Sequence, residues 1–262
     1  MNTRQTQTQL RSEAERQLRI DLAACYRLVD LYGMSDGILN HISAKVPGEA
    51  MHFLINPFGM MYEEITASSL IKIDLDGNVI DNPNSEYTVN LPGYVIHSAI
   101  HGARHDVACV LHTHTPAGMA VSALECGLLP ISQSSMRFAG SVAYHDFEGV
   151  AVDTDERQRL VEHLGDNDVM ILRNHGLLAV GQTVAEAFVN IHRLERACQT
   201  QLLAMSANSK LTVLAPELIN RTFGQLRRAP TPDASGRFPP HGEREWPALL
   251  RKLDRIDPSY RD

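Results

Sequence analysis

Three histidines carry the clearest chemistry in this chain. His112 and His114 are separated by one threonine at the end of the apolar run VACVLHTHT. On an extended strand, residues two apart project from the same face at about 6.5–7 Å between Cα atoms, so two imidazoles spaced this way can chelate one ion. Taken alone, an H-x-H pair fits a satisfied polar patch at a strand end equally well. Its position favours the metal reading, because the pair closes an apolar strand at the end where open α/β sheets place their sites. His175 closes a second apolar stretch, DVMILRN, directly before Gly176. Three neutral imidazoles that leave a position open are the ligand set of a catalytic zinc or similar first-row cation, whereas structural zinc sites are closed and often use cysteine. One divalent cation per chain is expected, Zn2+ first, with Mn2+, Co2+ or Fe2+ also compatible with the donors.

His97 and His101 stand one turn apart in YVIHSAIHGAR and share a helix face. They either complete the metal shell, shuttle a proton, or serve packing.

These histidines need elements to position them. Ser12 and Glu15 form a capping-box pattern that opens a helix through LAACYRLVDLYG, stopping at Gly33; residues 1–11 are polar and expected to be disordered. HISAKVP, MHFLINP and LIKIDLDGNVI are β-rich, with a hairpin signal at residues 76–78. Asn90 and Pro92 supply an N-cap and an early-turn proline for the helix carrying His97 and His101. A helix PAGMAVSALECG follows the H-x-H strand, and the stretch LLAVGQ follows His175. Thr183 and Glu186 cap a helix from 184 to about 206 with Val184, Phe188, Ile191, Leu194, Cys198 and Leu202 on one face. Residues 207–262 are rich in Pro and Arg, with short helical pieces such as EWPALLRKLDR.

With 262 residues and 44% hydrophobic content, the chain can bury the core of one large α/β domain. Its net charge of −7, without a Lys/Arg block, argues against a nucleic-acid partner. Cys25, Cys109, Cys126 and Cys198 lie far apart in apolar surroundings, which suits reduced core packing and a cytoplasmic location. No signal-peptide pattern and no run of about 18 apolar residues occurs, so no membrane partner is expected.

VLHTHTPAGMAVSALECGLLPIS together with ILRNHGLLAVG resembles the two metal-ligand motifs of the class II aldolase/adducin superfamily, and the 61 residues from His114 to His175 fit that pattern. The resemblance spans roughly residues 18–206, including YRLVDLYG, NHISAKV, HFLINPFG and EITASSLIKID. It is nearest the adducin head-domain branch, to whose pattern YHDFEGVAVD also belongs. The resemblance implies a three-layer αβα domain with a central, mainly antiparallel sheet, in a homotetramer with sites at subunit interfaces. It also implies that His112, His114 and His175 hold a cation that polarises a carbonyl of a small-molecule substrate. The organisation expected is a polar segment at 1–17, the aldolase/adducin-like domain at 18–206, and an extension at 207–262 packing on the domain or on a neighbouring subunit.

The chain departs from the aldolases of this family at three places. Gly93 stands where they carry an acidic catalytic residue, so proton transfer would fall to His97, His101 or Glu86. Leu91 and Pro92 replace a serine pair that cradles a substrate phosphate, and neither side chain donates a hydrogen bond, so an unphosphorylated substrate is expected. Asn40 and His41 stand at the altered turn near the substrate and, with Gly59 of NPFG, are candidate substrate contacts. Family aldolases borrow a tyrosine from a neighbouring subunit, for which Tyr144 and Tyr260 are the candidates. Arg137 or Arg173 could bind a substrate carboxylate bidentately, Arg173 from the face of His175 if its strand continues that far.

Three functions fit these residues. The first is a metal-dependent lyase of aldolase or decarboxylase type, acting on a small oxygenated carbonyl or carboxylic acid compound. The second is a non-catalytic, adducin-head-like oligomerisation or interaction module. The third is a metal-dependent oxygenase, since three histidines with open positions also hold iron.

Overall fold

The computed structural model describes residues 12–49, 51–149, 154–227 and 241–262. The first eleven residues of the polar N-terminal segment, and positions 150–153 of the YHDFEGVAVD pattern, lie outside the described residues. Helix α1 runs from Glu13 to Leu31 and is capped as its sequence predicts: Ser12 Oγ accepts from the Glu15 amide at 3.1 Å. The strands that follow are β1 (Ile42–Lys45), β2 (His52–Ile55), β3 (Ile71–Asp74) and β4 (Val79–Asp81). Next come α2 (Leu91–Ala103), β5 (Cys109–Thr113), α3 (Pro116–Ser122) and α4 (Gln133–Met136). The domain continues with β6 (Val142–His145), α5 (Thr154–Leu164), β7 (Val169–Leu172), β8 (Gly176–Gly181) and α6 (Val184–Ser206). Helices α7 (Pro216–Arg227) and α8 (Trp246–Ile256) then lead to a final 3-10 turn, Pro258–Arg261.

The eight strands form one sheet in the order β4-β3-β2-β1-β5-β8-β7-β6, antiparallel throughout except for the parallel edge pair β6 and β7. Alternate residues of the central strands enter different cores, which is why those strands read as continuous apolar runs. Cys109 and Leu111 of β5 pack with α1, α6 and α8 on one face, while Val110 packs with Ile100 of α2 and Leu160 and Leu164 of α5 on the other. This is the three-layer α/β arrangement. No helix among the described residues is long and apolar enough to cross a membrane.

Residues beyond 240 pack on the domain. Trp246 Nε1 of α8 donates to Asp21 of α1 at 2.8 Å, and the Tyr260 carbonyl accepts from the Ala67 amide at 2.9 Å. A buried ionic cluster ties α1 to the sheet: Arg19 pairs with Glu15 at 2.9 Å, and Lys72 of β3 pairs with the same carboxylate at 2.8 Å.

Two local expectations change. Asn90 precedes α2 without a side-chain capping bond, although Pro92 does occupy its first turn. Strand β7 stops at Leu172, and residues 173–175 form a tight turn with Asn174 at φ 55°. The reason is the antiparallel pairing of Leu172 with Gly176, which requires the chain to reverse within three residues. Arg173 therefore lies in a turn, not on a strand face shared with His175.

Candidate metal centre

The antiparallel pairing of β5 with β8 brings the C-terminal end of one strand beside the start of the other, with Thr113 opposite Leu177. His112 lies on β5 and is 3% exposed; His114 follows one residue past the last paired position, and His175 sits in the turn before β8. Thr115 fixes the exit of the chain from His114. Its hydroxyl caps α3 through the Gly118 amide at 3.2 Å and bonds the buried Glu195 carboxylate of α6. Gly176 is required for this approach, because a Cβ there would lie 2.4 Å from the Thr113 carbonyl oxygen.

The three Nε2 atoms converge. His112 and His114 are 2.8 Å apart at Nε2, His114 and His175 3.0 Å, and His112 and His175 3.2 Å. The Nδ1 of His112 faces the Leu177 carbonyl at 2.8 Å, and the Nδ1 of His114 faces the Asp36 carboxylate at 3.1 Å. A carbonyl and a carboxylate only accept, so both Nδ1 atoms carry hydrogen and both Nε2 atoms present lone pairs. Two lone pairs 2.8 Å apart cannot bond to each other, and a shared cation relieves them. Nitrogen ligands about 2.0–2.1 Å from a tetrahedral zinc stand roughly 3.3 Å from one another, close to the spacing seen. Burial holds His112 well below the usual imidazole range, and burial followed by the nearby His114 lowers His175 to about 4. Both are neutral at pH 7, the form that ligates.

A second histidine group lies beside the first. His97 and His101 of α2 are buried, and Ser43 Oγ of β1 stands between them, 2.7 Å from His97 Nδ1 and 2.8 Å from His101 Nε2. The His41 ring lies tilted by 38° against that of His97 at 4.2 Å between centroids, and its Nε2 donates to the Gly93 carbonyl at 2.5 Å. A Cβ on residue 93 would lie 2.5 Å from His41 Cε1, so the imidazole occupies the space that any side chain at position 93 would enter. Burial, the largest influence, brings His41 down to about 4 against the opposing pull of the Gly93 carbonyl. His41 Nδ1 and both amide atoms of the buried Asn40 have no hydrogen-bond partner among the described residues.

Of the other candidate residues, Arg173 lines a small pocket together with His175, while the contacts of Tyr144, Tyr260 and Gly59 run elsewhere. Tyr144 Oη accepts from the Leu128 amide at 3.0 Å, and the Arg173 guanidinium lies 4.4 Å above its ring while donating to the Leu124 carbonyl at 2.7 Å. Tyr260 Oη donates to Asp254 at 2.7 Å. Gly59 lies past β2 with φ 112°, against the Tyr87 ring. Asp36 and Ser43 escaped the sequence reading. Asp36 sits in the turn after α1 with no spacing that links it to His114, and Ser43 shows only as one polar residue in a strand.

The profile described as "Class II Aldolase and Adducin N-terminal domain" matches residues 20–202. The crystal structure of an aldolase II superfamily protein from Pseudomonas syringae superposes with a TM-score of 0.91 at 50% identity, covering 98% of this chain and 100% of that one. L-fuculose 1-phosphate aldolase from Glaciozyma antarctica superposes with a TM-score of 0.80 at 30% identity, covering 95% and 93%. Alpha-adducin of Rattus norvegicus is 45% identical over 93% of this chain, which spans only 34% of that protein. With its sheet order, its converging histidines and a family match over most of its length, this chain belongs to the class II aldolase and adducin N-terminal domain family.

Proposed function

We propose that this protein is a metal-dependent lyase of aldolase or decarboxylase type, in which His112, His114 and His175 hold one divalent cation, Zn2+ first. The observation that carries the reading is the convergence of three Nε2 atoms whose rings are oriented from behind by Leu177 and Asp36. A cation bound there supplies a Lewis acid that polarises a substrate carbonyl or hydroxyl oxygen. The chain itself supplies ring orientation and a proton acceptor. With Nε2–H committed to the Gly93 carbonyl, His41 offers its Nδ1 lone pair to a substrate proton, in place of a side chain at position 93. Asn40 offers an amide able to donate and accept.

The substrate proposed is a small oxygenated carbonyl or carboxylic acid compound without a phosphate. The likeness to L-fuculose 1-phosphate aldolase supports carbon–carbon lyase chemistry. Its phosphate is not carried over, because Leu91 and Pro92 lack side-chain donors. A cytoplasmic homotetramer with sites between subunits, in which Tyr144 reaches a neighbour's site, completes the proposal. Tyr260 is fully buried and bonded to Asp254 of its own chain, which removes it as the borrowed tyrosine.

The alpha-adducin likeness favours a second reading, a non-catalytic assembly module. Elemental analysis of the purified protein by inductively coupled plasma mass spectrometry separates the two. About one equivalent of zinc, manganese, cobalt or iron per chain supports the lyase. Metal-free protein that also takes up no added cation supports the module and removes the lyase.

A further inference from the structure

We infer a second ligand site, for a small organic dianion with an apolar body, in a cavity of about 520 Å3 lined by α4, α6, α7, α8 and Tyr32 at the end of α1. None of its lining residues belongs to either histidine group. Arg137, 9% exposed, lines the cavity, as do Arg193 and Arg196 of α6. Glu245 is the one carboxylate in the lining, and it is committed to Arg193.

Neither of the two remaining guanidinium groups forms an ion pair among the described residues, although Glu245 and Asp168 act on Arg137 at longer range. Arg137 donates to the Leu226 carbonyl at 2.7 Å and to the neutral ring of His241 at 2.8 Å, both uncharged acceptors. No carboxylate among the described residues pairs with Arg137 or Arg196. Burial, then the like charges of Arg193 and Arg227, weakens the hold of Arg137 on its proton against the opposing pull of Glu245 and Asp168. A buried guanidinium beside others of its own sign is costly unless an anion joins it, and its planar fork suits carboxylate or phosphate oxygens. Two guanidinium groups without an ion-pair partner among the described residues, one buried and one exposed, suit a ligand carrying two negative charges.

The rest of the wall is apolar and aromatic. Phe188 and His192 present rings stacked at 11° with centroids 5.8 Å apart, and Tyr32 closes against both. Leu249 adds an aliphatic surface. A free inorganic ion would leave this wall unused, whereas a phosphomonoester or dicarboxylate carrying a ring or short hydrocarbon would fill it.

Calorimetric titration of chelator-treated protein tests the site without involving the metal centre. The probes are phenyl phosphate, inorganic phosphate and phenol. Phenyl phosphate is expected to bind once per chain, at least tenfold tighter than either of the others. Arg196→Gln, on an exposed position, and Arg137→Lys are each expected to weaken it at least tenfold, as the loss of one charge-assisted hydrogen bond requires. Circular dichroism melts establish that both variants fold. Absence of binding at millimolar phenyl phosphate, equal binding of inorganic phosphate, or binding untouched in folded Arg196→Gln would each overturn the proposal. Since the metal is stripped throughout, failure here leaves the lyase reading standing, and failure of the lyase reading leaves this site standing.

Discussion

Two groups of three histidines lie side by side in this domain, His41, His97 and His101 all buried and the triad buried only at His112, and they are wired differently. At His112, His114 and His175 the outer nitrogens of the first two are tied to acceptors, so lone pairs are turned inward on a common point. At His41, His97 and His101 the contacts run within the group and to its neighbours: Ser43 bridges two rings, and the third is tied to the Gly93 carbonyl. The number of imidazoles does not separate the groups, and burial does so only in part, through the exposure that His114 and His175 keep. What separates them is where the hydrogens are sent, since a hydroxyl between two rings donates to one and accepts from the other and leaves no shared point for a cation.

The contrast can be broken by substitution. The largest effect is expected from His114→Ala, which should take bound metal from about one per chain to nearly none while the protein stays folded; undiminished metal by mass spectrometry would end the assignment. Asp36→Asn keeps all three ligands but removes the charged acceptor behind His114, and should weaken metal affinity roughly 10–100-fold in a competitive chelator titration. Acidification probes the other group in metal-free protein. His41 at about 4 and His101, lowered by burial to about 3, stay neutral in the fold while the unfolded chain protonates near 6.5. Their contribution is complete above pH 6.5 and is lost as pH falls towards 4 and then 3. The melting temperature should therefore drop by roughly 5–10 °C across that window, a loss of a few kcal/mol.

Smaller effects sharpen the comparison. Ser43→Ala should cost about 2 kcal/mol in urea unfolding by stranding two buried ring nitrogens, with metal content unchanged. Gly93→Ala should cost about 1–2 kcal/mol through the clash with His41. That penalty should shrink in the double variant with His41→Ala, and strict additivity in the cycle would refute the steric lock.

The triad was legible because period-two spacing and an apolar run are local signals, and His112 and His114 carry both. The glycine after His175 was also visible in the sequence, and its reason is the 2.4 Å approach to the Thr113 carbonyl. The antiparallel character of the sheet came with the family resemblance, since apolar runs buried on both faces do not disclose strand direction. Asp36 lies 78 residues before His114, and Ser43 lies 54 before His97. Such contacts exist only once β1 pairs with β5 and α1 packs across the sheet, and no local pattern encodes them. Arg173 would share the face of His175 only if β7 continued that far, and the strand stops at Leu172 because its last residue depends on the turn its partner demands.

The pairing of β5 with β8 has a thermodynamic consequence for the cation. His114 and His175 are far apart along the chain, but the ladder between the strands has already closed that loop before any ion arrives. Chelation then removes little further chain entropy, in contrast to small domains whose metal first draws distant segments together. Loading and stripping should accordingly be reversible at constant fold, and one preparation could be reconstituted in turn with zinc, manganese, cobalt or iron. The ion found in the purified protein would then record which metal reached a finished site, not which metal the chain needed in order to fold.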